Sequence, residues 1–313
     1  MTPPELTDTS SSAIAAEFLR ARRKAGSPAM GMVMTLVFVV NEKDAEDAME
    51  AARTASREHP ARVLGLILGS GRGRGRVDAQ VGIGSGWTGE TAMIRLSGEV
   101  TKHSASVVLP LLLPDSPVVV WWPTNAPDRP GEDPLGRLAK RRITDSAAPH
   151  RGKAKALLTQ CHSYTPGNTD LAWTRITVWR ALLAAALDQN HTKVTAASVT
   201  AERVSPSADL LVAWLSDRLH VEVERSTSAG PGITCVTLVT KEGAVTIDRP
   251  DGRLATLSSP GEPDRPVALK RREIAELLGE ELRRLDPDDV YAATVKRLAK
   301  MNQTSNPASA KKS

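Results

Sequence analysis

The sequence predicts an α/β protein with two domains, each a mixed sheet flanked by helices. The chain has 313 residues, which is long for a single hydrophobic core. Apolar runs rich in β-branched residues, such as Met32 to Val40, indicate buried strands. Segments with apolar residues at spacings of three and four alternate with these runs in both halves, and that spacing is typical of helices. Helices therefore alternate with strands along the chain, as they do in α/β folds.

The first half contains clear signals for the ends of its helices. The first helix follows the capping residues Thr9 to Ser12 and stops at Gly26 and Pro28. The second helix stops at His59, because the residue before a proline avoids helical geometry. On this basis helices are predicted at 12–24, 43–58, 104–113 and 133–140, and strands at 32–40, 62–68, 76–84, 91–100, 117–122 and 142–144.

The second half opens with the most strongly patterned helix, predicted over residues 170–188. Large apolar residues recur there at spacings of three or four and so share one face: Trp173, Ile176, Trp179 and Leu183. The remaining predictions are strands at 193–200, 221–225, 233–240, 244–248 and 253–257, and helices at 206–219, 271–285 and 287–300. Both halves follow the order helix, strand, helix, several strands and helix, which suggests duplication of one α/β unit.

Composition places the boundaries between the parts of the chain. We expect disorder in residues 1–10 and in residues 302–313, the latter because that end is polar and low in complexity. The N-terminal α/β domain is predicted to cover 11–160, and the C-terminal α/β domain 165–301. Residues 146–169 contain the proline and glycine typical of a boundary region, with one helix inside it.

The overall composition is that of a soluble, mildly basic protein. The net charge is +5 and the pI is about 9.3, which suits an anionic ligand, an acidic partner protein or nucleic acid. Two cysteines, Cys161 and Cys235, provide no disulfide framework and no zinc motif, and we expect reduced thiols in a cytoplasmic protein. The apolar run 29–40 is too short to span a bilayer and lacks a cleavage site, so no membrane segment or export signal is predicted.

One glycine pattern matches a dinucleotide-binding motif but is not expected to act as one. Residues 84–89 match G-x-G-x-x-G, a pattern that works when its last glycines open a helix whose amides receive the pyrophosphate. Here Glu90 to Leu96 are strand-like, and no acidic residue stands roughly 20 positions on for ribose recognition. We therefore expect a hairpin loop around Trp87.

No local motif for catalysis or metal binding is present in the sequence. The 6 histidines are dispersed without ligand spacing. Cys161 and His162 are adjacent, whereas a nucleophile needs its base nearby in space. We therefore expect a protein that is not an enzyme, with no catalytic residue, metal or cofactor, although some active sites leave no local motif.

The Gly-Arg loop, residues 71–76, offers three guanidinium groups on a flexible backbone. Arg72, Arg74 and Arg76 can contact phosphates or an acidic partner, because the glycines between them let the side chains reach outward. A solvated loop between two strands is the alternative.

The segment around Trp121 and Trp122 is the candidate partner-binding site. Adjacent side chains of a strand point to opposite faces, so the two indoles cannot enter the same core. Tryptophan and arginine are enriched among interface residues that dominate binding energy, and a purely structural role is the open alternative. The candidate residues are Trp121, Trp122, Pro123, Arg141, Arg142, Asp145 and Ser146.

The same segment closely resembles the glucose-6-phosphate dehydrogenase assembly protein family (OpcA). The resemblance extends over about residues 10 to 300, and in the C-terminal half it rests on length and element order more than on motifs. The segments that carry it are Leu109 to Pro123, Pro134-Leu135-Gly136, Arg141 to Ser146, Thr35-Leu36-Val37 and Glu58 to Val63.

The resemblance implies a non-enzymatic cytoplasmic protein. Such a protein binds the oligomeric glucose-6-phosphate dehydrogenase that starts the oxidative pentose phosphate pathway, and it activates the enzyme by promoting its active assembly. Cysteine redox control, known in some members of the family, is not carried over, because Cys161 and Cys235 lie in different halves.

Two other functions remain open at this point. The basic pI and the Gly-Arg loop are compatible with a nucleic-acid-binding protein, whose binding would depend on salt. Against this, the aromatic residues stand in apolar surroundings rather than between basic residues. A sugar-phosphate-binding enzyme or sensor, with arginines that hold the phosphate, is the other alternative.

Overall fold

The computed structural model describes residues 4–25, 31–83, 89–189 and 192–305. The predicted hairpin loop around Trp87 lies outside the described residues. Within the described ranges, no helix is long and apolar enough to cross a membrane.

The chain forms two compact units, each assembled from segments that are separate in sequence. Unit 1 comprises Met1–Asp145, Gly167–Thr169 and Glu273–Pro287. Unit 2 comprises the remaining segments: Ser146–Pro166, Asp170–Arg272 and Asp288–Ser313. The domains predicted from the sequence are contiguous, whereas unit 1 also takes two short segments from the second half of the chain.

The secondary structure alternates between helices and strands along both units. The helices are α1 (Ser11–Ala25), α2 (Ala45–Ala55), α3 (Ser104–Val108), α4 (Lys153–His162), α5 (Leu171–Thr174), α6 (Thr177–Gln189), α7 (Pro206–Leu219), α8 (Ile274–Arg283) and α9 (Asp289–Ser305). The strands are β1 (Glu5–Leu6), β2 (Met34–Val40), β3 (Ala61–Leu68), β4 (Arg76–Ile83), β5 (Gly89–Ser97), β6 (Val118–Trp121), β7 (Arg141–Thr144), β8 (Asn168–Asp170), β9 (Val194–Glu202), β10 (Val223–Ser228), β11 (Ile233–Thr240), β12 (Gly243–Asp248), β13 (Leu254–Ser258) and β14 (Arg265–Ala268).

Unit 1 is built on an eight-stranded sheet in the order β1-β4-β5-β3-β2-β6-β7-β8. Strands β5, β3, β2, β6 and β7 run parallel, and β4 is antiparallel to β5. Every residue of β2 is buried, as expected for a parallel strand covered on both faces. Helix α1 contributes to the core cluster on one face, and α2 lies against β2, β3 and α8.

Unit 2 is built on a six-stranded sheet in the order β10-β9-β11-β12-β13-β14. Only β10 and β9 are parallel among the pairs of this sheet in the described residues. Alternate residues of its strands join the buried cluster with α6, α7 and α9, around Trp173, Trp179 and Tyr291. The mixed α/β class predicted from the sequence is confirmed, but the two sheets differ in topology, so the structure gives no support to a duplication.

Most predicted elements are present within a few residues of their predicted bounds, and the differences have local causes. At 133–140 a short 3-10 turn, Gly136–Leu138, replaces the predicted helix, because Asp133 Oδ1 accepts hydrogen bonds from nearby backbone amides. The predicted helix at 170–188 is divided into α5 and α6.

Three short strands had no counterpart in the sequence prediction: β1, β8 and β14. Each is two to four residues long and is defined by pairing with a neighbouring strand rather than by a local pattern. Strand β1 lies within the segment expected to be disordered, and α9 continues to Ser305, beyond the start of the tail expected to be disordered.

Candidate functional site

The two adjacent tryptophans lie on opposite faces of the unit 1 sheet. Trp122 packs into a cluster with Ile14 and Phe18 of α1. Trp121 points to the other face, where its ring meets Phe38 of β2 edge-on, with ring centroids 6.2 Å apart. Trp121 is 1% exposed and Trp122 3% exposed, so each indole has a core of its own.

Arg141, on β7, is held in a buried ion pair. Its Nε and Nη2 donate to Oε2 of Glu281 on α8, with an Nε–Oε2 distance of 3.2 Å. Its Nη1 donates to the backbone carbonyl oxygen of Asp286 at 2.8 Å. Arg141 is 4% exposed and Glu281 6%, so this pair fastens α8 to β7 in the interior of unit 1.

Arg142, on β7, donates hydrogen bonds to β8 and to the backbone that precedes β7. Its Nε donates to Oδ1 of Asn168 in β8, and its Nη1 donates to the carbonyl oxygen of Ala139 at 2.8 Å. A Cβ on Gly167 would lie 2.7 Å from Arg142 Nη2, and the φ of Gly167 is +93°. Glycine is therefore needed at this position, both for its backbone conformation and for the close approach of the guanidinium.

The Pro134-Leu135-Gly136 motif forms a tight turn. Oδ1 of Asp133 accepts hydrogen bonds from the backbone amides of Leu135 at 2.9 Å and Gly136 at 3.2 Å. A Cβ on Gly136 would collide with the carbonyl oxygen of Pro130, so the turn requires glycine there.

The end of the Arg141 to Ser146 motif is also held by buried hydrogen bonds. In unit 1, Thr144 Oγ1 donates to the carbonyl oxygen of Thr169 at 3.2 Å. In unit 2, Ser146 donates to the Asp170 carboxylate from its backbone amide and from its hydroxyl, each at 3.0 Å. The same carboxylate accepts from the amide of Ala172 at 2.8 Å and caps α5.

The predicted partner-binding residues therefore lie beneath the surface of the chain. All of them are buried except Pro123, which is half-buried. Direct contact with a partner would require these side chains to be uncovered, whereas support of an overlying surface would not. That supporting role stays a prediction for the set Trp121, Trp122, Pro123, Arg141, Arg142, Asp145 and Ser146.

The Gly-Arg loop is exposed, and two of its three arginines have acidic neighbours. Arg74 lies 3.7 Å from the Asp8 carboxylate, and Arg76 Nε lies 2.8 Å from that of Asp78. Arg72 has no side-chain partner among the described residues. These pairs reduce the positive charge that the loop offers to an anion, and anion or partner contact by Arg72, Arg74 and Arg76 stays a prediction.

The chain order reverses between β2 and β6, which is where open α/β sheets bind ligands at the carboxyl ends of their strands. The loop after β2 reads Asn41-Glu42-Lys43-Asp44 and contains no glycine. Glu42 pairs with Arg95 at 2.8 Å, and Asp44 accepts from Thr124 Oγ1 at 3.1 Å. Carboxylates at this edge repel the negative charge of a pyrophosphate. The loop also lacks a glycine that would let a phosphate approach its backbone closely.

The thiols do not have the environment of reactive cysteines. Burial raises the pKa of the Cys161 thiol, which is 6% exposed, and burial also raises the pKa of the half-buried Cys235 thiol. Reactive cysteines instead have a lowered pKa and a positively charged, accessible environment. Across the described residues, no group of three or more histidine, cysteine, aspartate or glutamate side chains is placed to hold a metal ion.

A groove in unit 1 brings together two arginines that are distant in sequence. It has a volume of about 390 Å³ and is lined by α1, by Met32 and by Leu113, Pro114 and Ser116. Both of its charged lining residues are arginines, Arg22 and Arg62. The volume falls within the range of ligand pockets, roughly 300–1,000 Å³.

Glu90 connects the two arginines. Arg62 Nε and Nη2 approach Oε2 of Glu90 at 2.7 and 2.6 Å, and Arg62 Nη1 donates to the carbonyl oxygen of Leu111 at 2.6 Å. The Arg62 guanidinium also lies over the ring of Phe18, 4.8 Å from its centroid. Arg62 is 8% exposed and Glu90 3%, so this half of the cluster is buried and internally satisfied.

Arg22 gives the cluster an excess of positive charge. Its Nε donates to Oε1 of Glu90, and this hydrogen bond raises the pKa of Arg22 despite partial desolvation. Its Nη1 and Nη2 have no partner within the described part of the chain. Two guanidinium groups against one carboxylate leave a net charge of +1, and the side chain of Arg22 is 22% exposed.

Sequence reasoning did not single out this cluster. Arg22 lies 68 residues from Glu90, and Arg62 lies 28 residues from it, so no local motif contains all three. Arg62 does belong to the Glu58 to Val63 segment that carries the family resemblance. That membership was the only sequence signal that pointed toward the cluster.

Family models match both halves of the chain. Each is described as one domain of a glucose-6-phosphate dehydrogenase subunit: the model of the N-terminal domain matches residues 52–162, and the model of the C-terminal domain matches residues 166–295. Together they span well over half of the sequence. Among curated proteins, no match is found.

Solved structures with a similar arrangement are distant in sequence. An oxidoreductase from Sinorhizobium meliloti is 10% identical, with a TM-score of 0.48, and the match covers 89% of this chain and 98% of that one. An inositol dehydrogenase homolog from Azotobacter vinelandii, complexed with NADH and myo-inositol, is also 10% identical, with a TM-score of 0.35 and coverage of 88% of both chains. Likenesses this distant carry no information about activity.

Proposed function

Since the chain belongs to the glucose-6-phosphate dehydrogenase assembly protein family (OpcA), we propose that it binds glucose-6-phosphate dehydrogenase in the cytoplasm and promotes the enzyme's active oligomeric form. The observation that carries the proposal is the pair of family matches, which follow one another across residues 52–162 and 166–295. Because both halves match in order, the proposal concerns the whole chain.

We further propose that the chain does not itself catalyse a reaction. The acidic loop after β2 supports this proposal. It lies where the chain order of the unit 1 sheet reverses, and its carboxylates would repel the phosphates of a dinucleotide. The raised pKa values of Cys161 and Cys235 support it as well, since neither thiol is activated as a nucleophile.

Activation then follows from differential affinity. A protein that binds the active form of an enzyme better than the inactive form shifts the population toward the active form. A coupling free energy of about 1–3 kcal/mol is typical of such effects and corresponds to about 5- to 150-fold in affinity. Because the coupling is reciprocal, the active form of the dehydrogenase must bind this chain more tightly than the inactive form does.

In this proposal the Trp-Trp and Arg-Arg segments provide a rigid frame for the contact surface. The buried pair of Arg141 with Glu281 and the bonds of Arg142 to Asn168 and Ala139 fix the strands and turns that lie under the surface of unit 1. A rigid surface loses little conformational entropy when it binds, which favours affinity.

The proposal is tested by co-purification with the native dehydrogenase, followed by enzyme kinetics with and without this chain. We expect a stable complex and a higher dehydrogenase rate, or a lower KM for glucose 6-phosphate, when the chain is present. The chain alone should show no turnover of glucose 6-phosphate with either nicotinamide cofactor. Failure to bind the dehydrogenase would remove the basis of the proposal.

The alternative functions give different results in simple assays. A sugar-phosphate sensor would be stabilised against heat by glucose 6-phosphate in the absence of the dehydrogenase. A nucleic-acid-binding protein would bind DNA or RNA with an affinity that falls steeply as salt rises. We expect neither effect.

A further inference from the structure

We propose that the groove containing Arg22 is a docking pocket for an acidic segment of the partner enzyme, in which a carboxylate side chain stands next to a large apolar one. This inference rests on the proposed function for the identity of the partner. The chemistry of the occupant follows from the groove itself.

The positive charge of the Arg22, Arg62 and Glu90 cluster is the reason that the docked segment should carry a carboxylate. Glu90 is shared by Arg22 and Arg62, so one positive charge is left without a counter-charge among the residues that line the groove. Arg62 uses its donors within the chain, on Glu90 and on the carbonyl oxygen of Leu111. Among the described residues, the donors of this cluster that have no partner are therefore Nη1 and Nη2 of Arg22.

The free donors are held in place rather than mobile. Nε of Arg22 is fixed by Glu90, and only 22% of the side chain is exposed, so its outer nitrogens keep a defined position at the groove. A guanidinium fixed in this way can bind a carboxylate with two parallel hydrogen bonds, at a reduced entropic cost. An arginine that merely extends into solvent would have neither the buried partner nor the fixed position.

The apolar walls of the groove are the reason that the docked segment should also carry a large apolar side chain. Leu19, Pro114 and Phe18 line it, and Leu19 is 53% exposed. Val33, next to the lining residue Met32, is 48% exposed. Exposed apolar side chains beside a fixed charged group are typical of protein interfaces, where an apolar anchor and an ionic contact act together.

The end of α1 adds to the attraction for an acidic segment. Its last turn contains Arg22, Arg23 and Lys24, and it has no acidic residue in its first turn. The basic turn raises the local positive potential and steers acidic groups toward the groove. Arg23 is exposed and does not line the groove, so it contributes to this long-range attraction without contact.

The test compares neighbouring arginines that differ in position but not in charge. The dissociation constant of the full-length chain for the purified dehydrogenase is measured for the wild type, for Arg22→Gln, for Leu19→Ser and for Arg23→Gln as the matched control. Arg22→Gln leaves Glu90 paired with Arg62, and Leu19 is largely exposed, so both variants should fold, which circular dichroism and thermal melting will check.

We expect Arg22→Gln to weaken binding roughly 10- to 100-fold, the range for loss of a hydrogen bond to a charged group. Leu19→Ser should also weaken it, while Arg23→Gln should change it less than about threefold, because surface charges are screened. Wild-type affinity in all three variants would overturn the proposal that the groove is a docking site and would leave the proposed function intact. Equal losses for Arg22→Gln and Arg23→Gln would also overturn it, since only net charge would then matter.

If the wild type does not bind the dehydrogenase, both the proposed function and this docking site are wrong. If Arg22→Gln fails to fold, the comparison of Leu19→Ser with the wild type decides the matter. Undiminished binding by folded Leu19→Ser would then overturn the docking site.

Discussion

Replacement of Arg141 by alanine should strongly destabilise the protein, because the change removes a buried cation that pairs with the Glu281 carboxylate. Arg141 and Glu281 are 4% and 6% exposed, and the guanidinium donates to Glu281 through two nitrogens. Arg141→Ala also removes the hydrogen bond to the carbonyl oxygen of Asp286. The perturbation therefore removes one partner of a buried ion pair and one further buried hydrogen bond.

The expected loss follows from these contacts. Breaking a buried pair by removal of one partner costs about 3–5 kcal/mol, since the remaining charge stays desolvated. Native domains are stable by only about 5–15 kcal/mol, so Arg141→Ala should remove a large part of the stability of unit 1. The double change Arg141→Met with Glu281→Leu should restore most of the loss, because neither side chain then carries a charge.

The assay is urea unfolding at neutral pH, followed by circular dichroism and by tryptophan fluorescence. The matched control is Arg283→Ala on the same helix, α8. Arg283 pairs with Glu58 at 2.7 Å, but both side chains are 59% exposed, so its removal should leave the unfolding midpoint unchanged within error. A loss below about 1 kcal/mol for Arg141→Ala would mean that this buried pair contributes no more than an exposed one.

Two further changes test the packing of unit 1 and the state of the thiols. Gly65→Ala should cost about 1–3 kcal/mol in urea unfolding, because the new Cβ would collide with the ring of Phe38, whereas Gly71→Ala, whose Cβ would meet only Thr101 Oγ1 at 3.4 Å, should be near neutral. Cys161 and Cys235 should react slowly with iodoacetamide at neutral pH in the folded protein and rapidly in urea, since burial raises the pKa of both thiols. Rapid labelling of folded Cys161 would contradict its burial.

The sequence predicted those parts of the fold that depend on local pattern. Strands β2 and β3 are apolar apart from Thr35 and Arg62, and their burial on both faces follows from that pattern. The alternation of side chains also indicated that Trp121 and Trp122 cannot share one core, and in the structure Trp121 ends β6 while Trp122, just after it, packs into the cluster on the other face. That both indoles are buried depends on residues from other parts of the chain, Ile14 and Phe18 for Trp122 and Phe38 for Trp121, which the local pattern does not reveal.

The Arg22, Arg62 and Glu90 cluster could not be predicted, because its members come from α1, β3 and β5 and meet only after the parallel sheet has formed. The same holds for the pair of Arg141 with Glu281, which are 140 residues apart. Composition showed that the chain is basic, but the unbalanced charge in the groove arises from tertiary structure.

The proposed function is tested most directly by the affinity of the native dehydrogenase for the purified chain and by the enzyme's activity with and without it. We predict a stable complex, a shift of the enzyme toward its active oligomer and a higher rate at limiting glucose 6-phosphate. The enzyme's active form should bind the chain more tightly than the inactive form, by the factor by which saturating chain shifts the equilibrium between the two forms. No complex, or a complex without any change in the enzyme's oligomer or rate, would contradict the proposed function.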